Sequence, residues 1–183
     1  MKKIALIGLA AASIIALAAC GSAPGTSKGG SEKGNAIGKT FKIGLNMELS
    51  GAYAAPGNAE KNAIQLAADE INADGGINGK KIQLVVKDNK TDNGEVATVA
   101  SNLTNNDKVA AIIGPMSSGG TLAATPNVTK AQVPLITPTG TNDNLTVKND
   151  KVQPYIFRTI FPDAFQGKVI ANYTEETLKA KKV

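Results

Sequence analysis

The stretch VAAIIGPMSSGG, residues 109–120, decides how the chain folds. Its first six residues are wholly apolar apart from the closing glycine, as expected of a strand buried on both faces. A hydroxyl- and glycine-rich turn follows, then a helical stretch over about residues 118–131, then a second apolar run at 133–137. Strand, helix and strand joined by short loops mean parallel strands linked by right-handed crossovers. Upstream, residues 81–87 (KIQLVVK) read as a strand, and a helix capped by Asp92 or Asn93 carries Val96, Val99, Ala100 and Leu103. Further back, residues 41–47 read as the first strand. A helix over 58–73 then sets Ala63, Ile64, Ala67, Ala68 and Ile71 on one face and stops at Gly75-Gly76. Downstream, 155–161 (YIFRTIF) is a fifth strand. Pro162-Asp163 opens a last helix with Ala164, Phe165, Val169, Ile170 and Leu178 as apolar positions. The expected fold is α/β, a doubly wound, mostly parallel sheet. Pro126 is expected to kink or shorten the helix that contains it.

The 183 residues are 42% hydrophobic and 19% charged, the balance of a globular protein. There is no His, no Trp and one Cys. Those absences exclude a Ser-His-Asp or Cys-His nucleophile, a His-based metal site and any intrachain disulfide. The formal charge is +5, of which Lys2 and Lys3 contribute two. Lysines are spread along the chain, Arg158 is the single arginine and aromatics are 4%, so neither a basic stripe nor a stacking platform marks a nucleic-acid partner.

Met1-Lys2-Lys3 precedes an apolar run over residues 4–19, too short for a membrane span but right for a secretory signal. The run ends Leu17-Ala18-Ala19-Cys20-Gly21 and resembles a bacterial lipoprotein lipobox. That resemblance implies a diacylglycerol thioether on Cys20, whose two acyl chains suffice for stable anchoring. An ordinary signal with an incidental cysteine is the competing reading, and Cys20 being the chain's only cysteine weighs against it. Residues 21–40 (GSAPGTSKGGSEKGNAIGKT) hold one large apolar residue, Ile37, and read as a flexible tether. The expected organisation is a leader over 1–19, lipidated Cys20 and tether over 20–40, an α/β lobe over 41–161 and a crossover helix over 162–183.

In such sheets ligands sit beyond the carboxyl ends of the strands. Four loops leave that edge, at residues 48–57, 88–93, 115–120 and 138–144. In the third, Ser117 and Ser118 stand at a helix N-terminus, where unpaired amides and the positive dipole end suit a carboxylate. A capping serine in a tight turn also accounts for the pattern. Thr139, Gly140 and Thr141 bring further hydroxyls to the same edge. No Gly-Lys-Ser/Thr makes the third loop a phosphate cradle, and no GxGxxG follows the first strand. Glu48 and Asp88 both follow strands and could flank a divalent cation, but no third carboxylate is evident. No cofactor and no enzymatic constellation emerges.

The segment AADEINADGGINGK (67–80) resembles the helix–GGIxGK–strand signature of the branched-chain amino acid substrate-binding proteins of ABC transporters, which have the type I periplasmic-binding-protein fold. Leu49-Ser50-Gly51, Ile113-Gly114-Pro115 through Ser118, residues 133–138 (VPLITP), Phe157-Arg158-Thr159 and Phe165-Gln166-Gly167 extend the match in one register. The resemblance implies two lobes that close over an amino acid such as Leu, Ile or Val, delivered to membrane permease subunits. It places the ligand carboxylate at Ser118 and Thr141 and the ammonium at the Thr139 carbonyl. Ser117 stands where some members have cysteine, and Gly140 lies within the same hydroxyl loop. Tyr53 and Pro56 fall beside the side-chain pocket, Pro56 where some members carry an aromatic residue. Family chains continue past the Phe165 helix into a second lobe, so the expectation is an N-terminal lobe alone, held at the outer face of the cytoplasmic membrane. A lipid-anchored sensory or interaction module of the same fold, presenting ligand to a membrane receptor, is the alternative. Protein extracted from its native membrane is expected to begin at Cys20 and carry acyl chains. Intact mass spectrometry checks this, and an unmodified cysteine would remove the anchor.

Overall fold

The computed structural model describes Asn35 and residues 37–182; the leader, Cys20 and most of the tether lie outside the described residues. Five parallel strands form the sheet: β1 (Phe41–Met47), β2 (Ile82–Asp88), β3 (Ala111–Ile113), β4 (Leu135–Thr137) and β7 (Ile156–Arg158), in the order β2-β1-β3-β4-β7. β1 is therefore central, paired with β2 along its whole length and with β3 from Ile43 to Leu45. Chain order runs one way from β1 to β2 and the other way thereafter. Right-handed crossovers then place α1 (Ala54–Ala73) on one face and α2 (Asn93–Asn105) and α3 (Ser118–Ala131) on the other.

The two faces are unequally covered. On the α2/α3 face, Ile112, Leu135 and Ile156 of the strands meet Val96, Val99, Ala100 and Leu103 of α2 and Ala124 and Val128 of α3 in one buried cluster. Gly44 of β1 lies on this face, and a Cβ there would stand 3.0 Å from both Leu103 methyls, so α2 packs at the closest range the sheet permits. On the opposite face α1 packs mainly over β1 and β2. Leu45 and Met47 are fully buried, whereas Ile113 and Ile136 are half-buried and Phe157 is 49% exposed. Among the described residues no helix lies over β3, β4 and β7 on that side.

Several sequence expectations are corrected. α1 begins at Ala54 rather than Asn58, because Pro56 sits in its first turn, where no intrahelical N–H is needed. Its expected apolar stripe is thin: Ala68 is buried, Ile64 half-buried, and Ala63, Ala67 and Ile71 are exposed, since the helix has only two strands beneath it. α3 runs uninterrupted through Pro126, which lies on the exposed side where the freed carbonyl can meet water. The fifth strand of the sheet shortens to Ile156–Arg158. Before it comes a hairpin that the sequence reading lacked, β5 (Val147–Lys148) and β6 (Lys151–Val152). Its turn residues Asn149 and Asp150 both have positive φ, 50° and 59°, as a two-residue hairpin turn requires. The last helix, α4 (Asp163–Asn172), gives way to a π-helical turn (Tyr173–Thr177), and neither buries a residue. No described helix is long and apolar enough to cross a membrane.

This asymmetry predicts unequal costs of truncation. Leu135→Ala on the covered face should lose about 2–5 kcal/mol of stability. Phe157→Ala on the open face should lose less than about 1 kcal/mol, because its ring is already half in water. Urea unfolding of the two variants measures the difference, and equal losses would contradict the one-sided core.

Candidate functional site

Three loops converge at the carboxyl edge of the sheet, and the end of β1 holds them together. Glu48 follows Met47 and is 1% exposed. Its Oε2 accepts a hydrogen bond from the Met116 amide at 3.2 Å, which ties the end of β1 to the loop after β3. A Cβ on Gly57 would overlap the Glu48 carbonyl, so α1 can begin this close to the strand end only with glycine there. The loop after β3 is fixed from its start as well: Gly114 has φ +88°, and a Cβ on it would collide with the Asn46 carbonyl.

Ser117 is the N-cap of α3, its Oγ accepting from the Gly120 amide at 3.1 Å. Its oxygen thereby caps the helix, in line with the capping reading. The amides of Ser118 and Gly119 stand ahead of the first intrahelical bond, at the positive end of α3. The loop after β4 is laid across that end. Thr137 Oγ1 donates to the Pro115 carbonyl and Thr139 Oγ1 to the Met116 carbonyl, both at 2.8 Å. The Asn142 amide donates to Ser118 Oγ at 3.2 Å. Gly140 is buried, its amide donating to Thr137 Oγ1 at 3.1 Å. Thr141 faces α4: its hydroxyl donates to Asp163 Oδ2 at 3.0 Å, and its carbonyl accepts from the Asp163 amide and from Arg158 Nη1.

The structure thus brings together Ser117, Ser118, Thr139, Gly140 and Thr141. No hydrogen bond among the described residues ties Tyr53 or Pro56 to this group. Tyr53 is 48% exposed just ahead of α1, its amide donating to Thr91 Oγ1 at 3.3 Å, and Pro56 is exposed in the first turn of α1. Asp88 does not join Glu48 around a cation. Its carboxylate clamps the loop after β1, accepting from the amides of Leu49, Ser50 and Lys90 and from Ser50 Oγ at 2.6 Å. Burial pushes the Asp88 carboxyl up, but these hydrogen bonds outweigh it and hold the group below its ordinary range. Among the described residues no group of three His, Cys, Asp or Glu could hold a metal ion.

Sequence reasoning missed Glu60. It sits three residues after Gly57 and so on the same face of α1, which is the signal that could have found it. Its Oε1 lies 3.4 Å from Thr139 Oγ1, while its Oε2 and Glu48 Oε1 are buried without a hydrogen-bond partner. Burial first, and the charge of Glu48 second, raise the Glu60 carboxyl above the ordinary value of 4.5, against the opposing contact with Thr139. The Thr139 proton is committed to Met116 at 2.8 Å. Glu60 thus stands beside the Thr139 hydroxyl that reaches the Met116 carbonyl, so that α1, the Thr139 loop and the Met116 loop meet at one point.

The profile described as periplasmic binding protein matches residues 40–183. The chain belongs to the periplasmic binding protein family. Among solved members of this family, the branched-chain amino acid transporter substrate binding protein LivJ of Streptococcus pneumoniae, in complex with isoleucine, is 54% identical with a TM-score of 0.69. The match covers 78% of this chain and 40% of LivJ. The amino acid binding protein of Pseudomonas aeruginosa is 36% identical over 141 residues, 77% of this chain and 37% of that protein. The leucine-specific-binding protein of Salmonella typhimurium is 32% identical over 81% of this chain and 39% of its own length. The chain therefore spans about two fifths of the length of the family members it matches.

A carboxyl raised by folding favours the folded state fully below its unfolded value, and that contribution is lost as pH rises through the folded value. Glu60→Gln keeps the shape and cannot ionise. Its stability relative to the parent chain should therefore climb as pH rises above 4.5. Thermal unfolding across a pH series reads this directly, and a pH-independent difference would contradict a Glu60 carboxyl raised by folding.

Proposed function

We propose that this chain forms the ligand-receiving lobe of an extracytoplasmic amino acid-binding protein that serves an ABC importer. The observation that carries the reading is the open end of α3 with the Thr139–Thr141 loop laid across it. There the Ser118 and Gly119 amides and the positive dipole end are available to a ligand carboxylate, with the Ser118 hydroxyl beside them. The Thr139 carbonyl and the Thr141 hydroxyl take the ammonium and the second carboxylate oxygen, and the Thr141 contact requires Asp163 to yield its hydrogen bond. Aliphatic side chains such as those of Leu, Ile and Val are the proposed ligand class, supported by the 54% identity to a protein solved with isoleucine and by the leucine-specific relative. The exposed apolar surface of α4, where Phe165, Val169 and Ile170 are 48–56% exposed, supports a second lobe packing on residues 162–183 and closing the pocket. The lobe is placed outside the cytoplasm by its leader and held at the membrane by lipid on Cys20. Its relatives are named as binding proteins, and the proposed role is capture rather than catalysis.

Isotope-labelled chain titrated with L-isoleucine, L-leucine or L-valine should show amide shifts at residues 117–119 and 139–142. Ser118→Ala should weaken binding roughly tenfold, the scale of one hydrogen bond to a charged group. Shifts at these amides with glucose but with none of the three amino acids would overturn the proposal.

A further inference from the structure

Parallel strands start together, and the edge where β1, β2 and β3 begin is the one opposite the candidate ligand site. Five lysines gather there: Lys39 and Lys42 at β1, Lys80 and Lys81 before β2, and Lys108 before β3. The ion pairs among the described residues are Lys87–Asp107 and Lys90–Glu95, so none of the five has a carboxylate partner. Asp107, immediately before Lys108, is engaged by Lys87 at 3.1 Å. Backbone carbonyls position three of the ammonium groups without cancelling their charge: Lys42 donates to Asp107, Lys80 to Ile37 and Lys81 to Asn72. Lys39, Lys42 and Lys108, with Thr40 and the apolar floor of Ile37 and Ala110, line a cavity of about 200 Å³. The chain enters β1 at this same edge from the segment that begins at Cys20 and carries Lys28 and Lys33.

We propose that this lysine edge is a docking surface for anionic phospholipid headgroups of the leaflet that holds the anchor. The proposal rests on the lipoprotein reading for its geometry, since lipid on Cys20 keeps the edge within a tether's reach of the bilayer. Charge complementarity and that continuity select the occupant. The lysines at the root of the tether face a negative surface whose attraction falls off within a Debye length. Neither Trp nor a cluster of aromatics is present at the edge to insert into the acyl region, so the contact is electrostatic. Docked in this way, the lobe stands with its ligand edge away from the bilayer between deliveries.

The test uses the chain from Cys20 onward, made without its leader so that no acyl group contributes. Co-sedimentation is measured with vesicles of phosphatidylglycerol and phosphatidylcholine against vesicles of phosphatidylcholine alone. Binding to the anionic vesicles only, weakened by salt, is the expected result. Lys39→Gln, Lys42→Gln and Lys108→Gln together should weaken it on the order of 100-fold. A control triple, Lys130→Gln, Lys148→Gln and Lys168→Gln, should weaken it far less. Lys39→Glu with Lys108→Glu should abolish binding, and neither side chain has a hydrogen bond among the described residues to lose. No binding, equal binding to neutral vesicles, or an equal loss in the control triple would overturn the proposal. Failure of the lipoprotein reading is seen separately, as an unmodified Cys20 in the mass of the native protein.

Discussion

The contact of Gly57 with the Glu48 carbonyl sets where the whole carboxyl edge is built. It lets α1 start against the end of the central strand, and this brings Glu60 over the Thr139 loop. Glu48 itself reaches the other way, to the Met116 amide. One strand end thus fixes α1, the α3 N-terminus and the hydroxyl loop relative to one another. A ligand site made of backbone amides and short hydroxyls has little reach of its own, so its geometry depends on such a rigid point of reference.

Polar burial around that point is divided in kind. Asn46, fully buried on β1, donates to the Val96 carbonyl at 3.0 Å and accepts from Asn89 at 3.1 Å, and Asn89 accepts from the Thr91 amide. This network is satisfied and joins β1, α2 and the loop after β2. The Glu48 and Glu60 carboxyls are the contrasting case, each with one oxygen unpaired. Burial and the neighbouring charge of Glu48 both raise the Glu60 carboxyl, which is the cost of setting two acids at one edge. The edge therefore carries its stiffness in amides and its ionisable reserve in acids.

The α/β class was legible because residues 109–114 and 133–137 are nearly continuous apolar runs of the kind parallel strands carry, although Ile113 and Ile136 are only half-buried on the open face. The hydroxyl loops were legible because threonine and serine cluster after those strands. The β5–β6 hairpin was not: Val147, Lys148, Lys151 and Val152 are all exposed, so no alternation betrays them. The start of α1 was hidden by Tyr53 to Pro56, which reads as a loop until Pro56 is placed in the first helical turn. Glu60 and Asn46 were hidden for another reason. Their roles come from partners 79 and 43 residues away, which only packing brings together. Thr141 shows the limit of loop chemistry, since its hydroxyl is present as read but is turned to Asp163.

The central place of β1 also governs the order in which the chain can acquire its shape. β1 is the first strand to be synthesised, yet its second neighbour, β3, comes only after α1, β2 and α2. Pairing across so long an intervening segment is slow, because loop closure precedes the contacts that reward it. Until residues 111–113 arrive, one side of the most buried strand stays an open edge. Such an edge is a template for pairing with another chain, so the interval between β2 and β3 is the period of greatest exposure to misassembly.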